Sequence, residues 1–345
     1  MSKEVKAPLT TPKGKVAIEQ HIKKAFPQGS ERKKFDTDAA GAVAAEGKNR
    51  NNTLFSSKIF IENVHFDLTY FPLNHLGYKM AAIAASDIVA MNGTPTGLSV
   101  SLGVSNRFSL EALEELMGGV RIFCKMYNVD LLQFEVSTSL LGMVASVSAF
   151  GTAASSKMLT RAGAKPNDLI CVSGDLASAY TGLVLLEREK KAFEADPNTQ
   201  PDLDNYQYVL ERYLKPEPRI DILRELDKNG IMPTSMTLVA NGLAGAVLHI
   251  AIASHVGCDI YEGKLPIDLL TFQTLKELDL VSTTIALNGG EDYELLFTIP
   301  QSSYEALQKI KDVSVVGYVK DYNSGCNLIT NDDKQIPLEA QEFAS

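Results

Sequence analysis

The chain has 345 residues, 45% of them hydrophobic and 22% charged, with a formal net charge of -9. This length favours two domains, with a core large enough to need no disulfide or metal staple. The acidic balance argues against a nucleic-acid binder, which needs clustered Lys and Arg to displace counterions, and no apolar run reaches the roughly 18–20 residues that cross a bilayer.

Residues 1–30 read as a polar extension punctuated by Pro8, Pro12, Pro27 and Gly29, with a short amphipathic helix over 15–25. The charges at the start are followed by no apolar stretch, so it does not read as a secretory signal, and a cytoplasmic location is expected. Residues 45–52 read as a hairpin loop leading into a strand that is buried on both faces near Ile59-Phe60-Ile61. Leu76, Met80, Ile83, Ile88 and Met91 form an apolar stripe over a helix at 74–91, stopped by Asn92-Gly93. A strand follows at 97–104, then a helix over 110–128 capped by Ser109, then strands at 129–132 and 142–151.

The second half opens on a turn at 160–168 and a strand at 169–174. Helices are predicted at 177–188, 205–214, 218–228 and 242–254, with a surface loop over 189–206. Strands are predicted at 283–287, 294–299 and 313–319. Cys124, Cys171, Cys258 and Cys326 are far apart with no C-x-x-C pair, and read as reduced packing residues.

Three segments place acids beside small residues: Lys34-Phe35-Asp36-Thr37-Asp38-Ala39-Ala40, Ser86-Asp87, and Gly289-Gly290-Glu291-Asp292-Tyr293-Glu294. Carboxylates are the oxygen ligands magnesium prefers, and small neighbours let phosphate oxygens approach the backbone. Each segment alone is weak, because an Asp beside Ala or Ser is more often a cap or turn residue.

The order of these segments carries more. They run with Ser56-Ser57-Lys58, Glu62-Asn63-Val64-His65-Phe66, His75-Leu76-Gly77-Tyr78-Lys79, Thr160-Arg161-Ala162-Gly163-Ala164-Lys165-Pro166 and Leu214-Lys215-Pro216-Glu217-Pro218-Arg219. Over about residues 31–340 this pattern resembles the thiamine-monophosphate kinases of the PurM-like superfamily.

The resemblance implies a two-domain α/β (α+β) architecture. An N-terminal, ATP- and metal-binding domain over 31–155 pairs with its copy into a dimeric β-barrel, and a C-terminal α/β domain covers 156–345. It also implies a homodimer, magnesium and ATP as cofactors, and transfer of a phosphoryl group from ATP to thiamine monophosphate, with the ions neutralising phosphate charge.

Residue by residue, the resemblance makes Asp38, Ser56, Ser57, Asp87 and Glu135 candidate metal-site residues. Arg161, with Glu135, falls on the nucleotide side, and His65 and Glu291 fall on the substrate side. Other positions depart from the pattern. Lys58 replaces a metal-binding aspartate, Gln133-Phe134 replaces two glycines, and Leu238, Ala240 and Asn241 replace two acids and a hydroxyl. Phe134 is expected to turn into the core or to take up nucleotide space. Where the pattern has six acids, this chain keeps three and adds a lysine.

A lysine ammonium among the remaining acids competes directly with a metal, since unit charges a few Å apart interact by roughly 4 kcal/mol at an effective dielectric near 20. Lys58 is therefore expected to pair with Asp87 or Asp38 and to stand in for a magnesium ion. Magnesium binding is doubtful on this reading, and catalysis is weak or lost. The alternative is a non-catalytic paralogue that binds a phosphorylated ligand or a partner subunit.

Overall fold

The computed structural model describes residues 39–43, 51–198, 201, 203–341 and 343. The helix expected over 15–25 and the candidate ligand Asp38 lie outside the described residues. Two sheets organise the rest.

The first sheet is built from β1 (Gly41–Val43), β2 (Asn51–Ile61), β3 (Thr94–Val104), β4 (Asp130–Thr138) and β5 (Val144–Ala154), in the order β1-β2-β5-β3-β4. Among the described residues it is open, with β1 and β4 as edges, and no barrel closes. Only β3 and β4 run parallel, and the crossover between them is α2 (Leu110–Tyr127), as a parallel pair requires. Ser109 caps α2 by accepting from the Ala112 N–H at 3.3 Å, and Asn128 ends it with φ 54°.

Helix α1 (Leu73–Val89) packs on β2, β3 and β5. Every residue from Leu76 to Val89 is buried, so the expected stripe is too narrow. One side of α1 lies on the sheet and another meets elements of the second half. Gly77 and Gly119 let α1 and α2 cross in backbone contact, because a Cβ on Gly77 would come within 1.9 Å of the Leu116 carbonyl oxygen.

The second sheet takes β6 (Leu169–Ser173), β7 (Ser235–Val239), β8 (Gly257–Tyr261), β9 (Glu294–Ile299), β10 (Val313–Lys320), β11 (Cys326–Ile329) and β12 (Gln335–Pro337) in the order β12-β11-β8-β10-β6-β9-β7. Around it lie α3 (Ser178–Ala195), α4 (Gln207–Leu214), α5 (Ile220–Lys228), α6 (Leu243–Ser254), α7 (Leu269–Glu277) and α8 (Ser282–Asn288). One apolar core runs from Leu54, Met80 and Ile88 of the first sheet region to Cys171, Leu295 and Phe297 of the second. All four cysteines are free.

Several expectations are corrected. Ile59 is 57% exposed and β2 ends at Ile61, so this strand buries one face only. Its alternation is strict because α1 covers one side of the sheet. Asn51 and Asn52 belong to β2 rather than to the loop before it. Helix α3 continues to Ala195, through the first part of the expected loop. Residues 283–287, rich in β-branched and apolar types, lie within helix α8, where Ile285, Ala286 and Leu287 are buried. Burial outweighs strand propensity there.

Candidate functional site

The register of the first sheet sorts the candidate residues onto two faces. Lys58, Val147, Val100 and Phe134 pair in one row across β2, β5, β3 and β4, and Ile59, Ser146, Ser101 and Glu135 form the next. Adjacent rows point to opposite faces. Val147 and Val100 are fully buried under α1, so the Lys58 row faces the helices and the Glu135 row faces away. Ser57 is on the Glu135 side, where its hydroxyl accepts from Ser148 Oγ at 2.9 Å. Within one chain Ser57 and Glu135 therefore lie across the sheet from Ser56 and Lys58.

The helix-facing group is tight. Asp87, near the end of α1, has 6% of its side chain exposed. Its Oδ2 accepts from Ser56 Oγ at 2.6 Å and pairs with Lys58 Nζ at 2.7 Å. Lys58 keeps 37% side-chain exposure, so its ammonium reaches inward from a partly open position. Of the two partners expected for Lys58, Asp87 is the one the described residues bring to it.

A second acid–lysine pair lies near the middle of α1, N-terminal to Asp87. Lys79, with 5% of its side chain exposed, pairs with Glu291 Oε2 at 2.8 Å. The same ammonium donates to the Tyr213 carbonyl at 2.8 Å, and sits 3.6 Å from the Tyr213 ring centroid and 5.5 Å from that of Phe71. Burial pulls this ammonium below the usual lysine range, and Glu291 opposes that shift. Lys79 was not singled out as a site residue from the sequence. The available signal was a lysine inside an apolar helix pattern, which calls for a partner when buried.

Glu291 sits on a loop with three left-handed residues in four: Gly290 at φ 82°, Glu291 at φ 67° and Tyr293 at φ 53°. Such backbone persists only where its surroundings hold it. Here Glu291 N donates to Ala240 O at 2.8 Å and Tyr293 N to Val239 O at 2.9 Å. A Cβ on Gly290 would lie 2.7 Å from Ala240 O. The segment carrying Leu238, Ala240 and Asn241 thus directly supports the Glu291 loop, with Leu238 buried, Ala240 half-buried and Asn241 exposed.

Tyr293 joins the two pairs. Its hydroxyl donates to Glu291 Oε1 at 3.3 Å. Burial, with Glu291 and more weakly Asp87 nearby, pushes it well above the ordinary tyrosine range, so it remains a neutral donor. Asp292 turns the other way and accepts from the Ala177 and Ala179 N–H groups at the start of α3, at 3.1 and 3.4 Å. Burial pushes its carboxyl up to about 8, opposed by those backbone bonds.

The remaining candidates are placed as follows. His65 is exposed, and its Nδ1 accepts from the Ile61 N–H at 3.0 Å, closing the turn after β2. Arg161 donates through Nε to Thr237 Oγ1 at 3.1 Å and meets His249 Nδ1 at 3.5 Å. Phe134 is 44% exposed on the edge strand β4, so it does not turn into the core.

The donor set among the described residues does not fit a magnesium ion. Asp87 already gives one oxygen to a lysine and a serine. Among the described residues no three His, Cys, Asp or Glu side chains converge to hold a metal. No described helix is long and apolar enough to cross a membrane.

Residues 37–153 match the family of AIR synthase related protein, N-terminal domain. The chain is 30% identical over 288 residues to the thiamine-monophosphate kinase of Bacillus subtilis, covering 82% of this chain and 85% of that protein. It is 31% identical to the corresponding Escherichia coli K12 enzyme, over 67% of this chain and 66% of that one. A structure of AaThiL complexed with AMPPCP and TMP superposes with a TM-score of 0.80, at 24% identity over 97% of both chains. The fold is shared more widely, since the hydrogenase maturation protein HypE superposes at 0.65 with 14% identity, over 91% of this chain and 96% of that one. The chain belongs to the thiamine-monophosphate kinase family.

Proposed function

We propose that this chain binds a phosphorylated ligand of the thiamine monophosphate class and transfers phosphoryl groups weakly or not at all. The observation that carries this reading is the Lys58–Asp87 pair. An ammonium occupies the carboxylate that the resemblance assigns to a metal, so a fixed positive charge is already present where the phosphate is expected. In-line phosphoryl transfer relies on ions bridging donor and acceptor phosphates, and a single lysine charge does not reproduce that. Glu291, 35% exposed beside two tyrosines, is suited to the cationic part of such a ligand. In this reading His65 lies on the substrate side and Arg161 on the nucleotide side. Asp38, Ser56 and Ser57 remain from the family's metal set as oxygen donors, and Glu135 remains as an acid on the opposite sheet face.

The proposal includes a homodimer. Phe55, Ile59 and Phe150 are exposed on the uncovered side of the first sheet, and Leu131, Leu132, Phe134 and Val136 are exposed along edge strand β4. An apolar face left bare among the described residues, ending in an edge strand unpaired among them, is a feature that association removes. A second copy would bring Ser57 and Glu135 into an interface. We place the boundary between the two domains near residue 155, with residues 1–30 as an extension, and the protein in the cytoplasm.

Incubation with ATP, magnesium and thiamine monophosphate tests the catalytic part. Turnover far below about 1 s⁻¹, the low end of ordinary enzyme rates, is expected, and turnover at or above that rate overturns it. Thermal shift with thiamine monophosphate tests the binding part, because a ligand that binds the native state raises its melting temperature. Sedimentation tests the dimer. Wild-type protein should run as a dimer and Ile59→Asp as a monomer, whereas monomeric wild type overturns that part.

A further inference from the structure

We propose that Lys79 is a positioning residue of the ligand site: it holds the Glu291 carboxylate toward the ligand's cationic part without touching the ligand itself. This rests on the ligand reading above and adds to it a residue that neither the family resemblance nor the comparisons assign.

The donor count of the ammonium is the starting point. A lysine ammonium has three N–H donors. Here one meets Glu291 Oε2 at 2.8 Å and one meets the Tyr213 carbonyl at 2.8 Å, while the Tyr213 ring lies 3.6 Å from Nζ. Little is left for a ligand, and 5% side-chain exposure leaves no approach. Lys79 can act only through Glu291. Glu291 is different: its side chain is 35% exposed, and Tyr293 fixes the oxygen that Lys79 does not hold. A buried ammonium that has lost its carboxylate is costly, so the Glu291 rotamer is held by the burial of its partner.

Helix α1 makes this a spacing device. Lys79 and Asp87 are eight residues apart on one rigid helix, a separation of about 12 Å along its axis. Asp87 carries Lys58 near the C-terminal end, and Lys79 carries Glu291 near the middle. One helix thereby fixes the distance between a phosphate-facing ammonium and a cation-facing carboxylate, although the second belongs to a loop of the other sheet.

The test is calorimetric titration of full-length protein with thiamine monophosphate and, separately, inorganic phosphate. In Lys79→Met, affinity for thiamine monophosphate is expected to fall at least tenfold while affinity for phosphate stays within twofold of wild type, a discrimination that general loosening would not produce. Lys79→Arg should recover most of the lost affinity. The doubly neutral Lys79→Met/Glu291→Gln variant removes the unpaired charge that threatens folding, and it should bind like Glu291→Gln alone. Wild-type affinity in Lys79→Met, equal loss of both ligands, or a double variant weaker than Glu291→Gln overturns the positioning role. A wild-type protein that binds no thiamine monophosphate overturns the ligand reading first, and the positioning role with it.

Discussion

Helix α1 carries the same chemical pair twice, in different surroundings. Near its C-terminal end Lys58 reaches Asp87 from a strand position with 37% of its side chain in solvent, and shares that carboxylate with Ser56. Near its middle Lys79 is almost wholly enclosed by Glu291, Tyr213 and Phe71. Partly exposed pairs contribute little to stability, whereas breaking an enclosed one leaves a desolvated charge. The first pair is therefore open to exchange of its cation, and the second is fixed into the architecture. A lysine taking over a metal's place is physically easiest where water still reaches it.

The comparison gives ordered expectations. Glu291→Gln should be the most damaging single change, costing about 3–5 kcal/mol, because it strands the enclosed Lys79 ammonium. Urea unfolding measures it, and a loss no larger than that of Asp87→Asn, which strands the half-exposed Lys58, would erase the distinction drawn between the two pairs.

Asp292 sharpens the same contrast, because this neighbour of Glu291 meets two backbone N–H groups instead of a lysine. Its carboxyl is raised to about 8 from an ordinary 3.8. The folded state thus holds the proton more tightly than the unfolded chain. The associated stability is fully present below pH 3.8 and is lost as pH rises through about 8. Asp292→Asn should flatten the pH dependence of the melting temperature across that window. An unchanged slope would contradict the assignment.

Changes at the Lys58–Asp87 pair come last in size. Asp87→Asn, which leaves Lys58 with 37% of its side chain in solvent, should cost no more than about 1 kcal/mol. Lys58→Asp places two acids side by side, so its melting temperature should be lower in EDTA and recover with millimolar magnesium. Wild-type melting should be nearly indifferent to magnesium, and a wild-type response as large as the variant's would contradict the exchange.

Part of this was legible in the sequence, because it rests on local signals. The Ser109 cap and the left-handed stop at Asn128 are written in residue types. The resemblance put Lys58 at one site with Asp87 and Asp38, and charge made a pair with one of the two expected; the structure brings Asp87 to it. What was not legible depends on tertiary placement. The side on which Glu135 points is set by register across four strands. Helix α8 over 283–287 is decided by what buries Ile285 to Leu287 rather than by their β propensity. Lys79 acquires its role only because α4 and the Gly290 loop fold back over α1 from more than a hundred residues away.

The central claim is that Lys58 occupies the place of a metal ion, and calorimetric titration of thiamine monophosphate into wild-type protein, once in EDTA and once in magnesium, tests it most directly. The account predicts the same affinity in both. Binding that appears only with magnesium would contradict it.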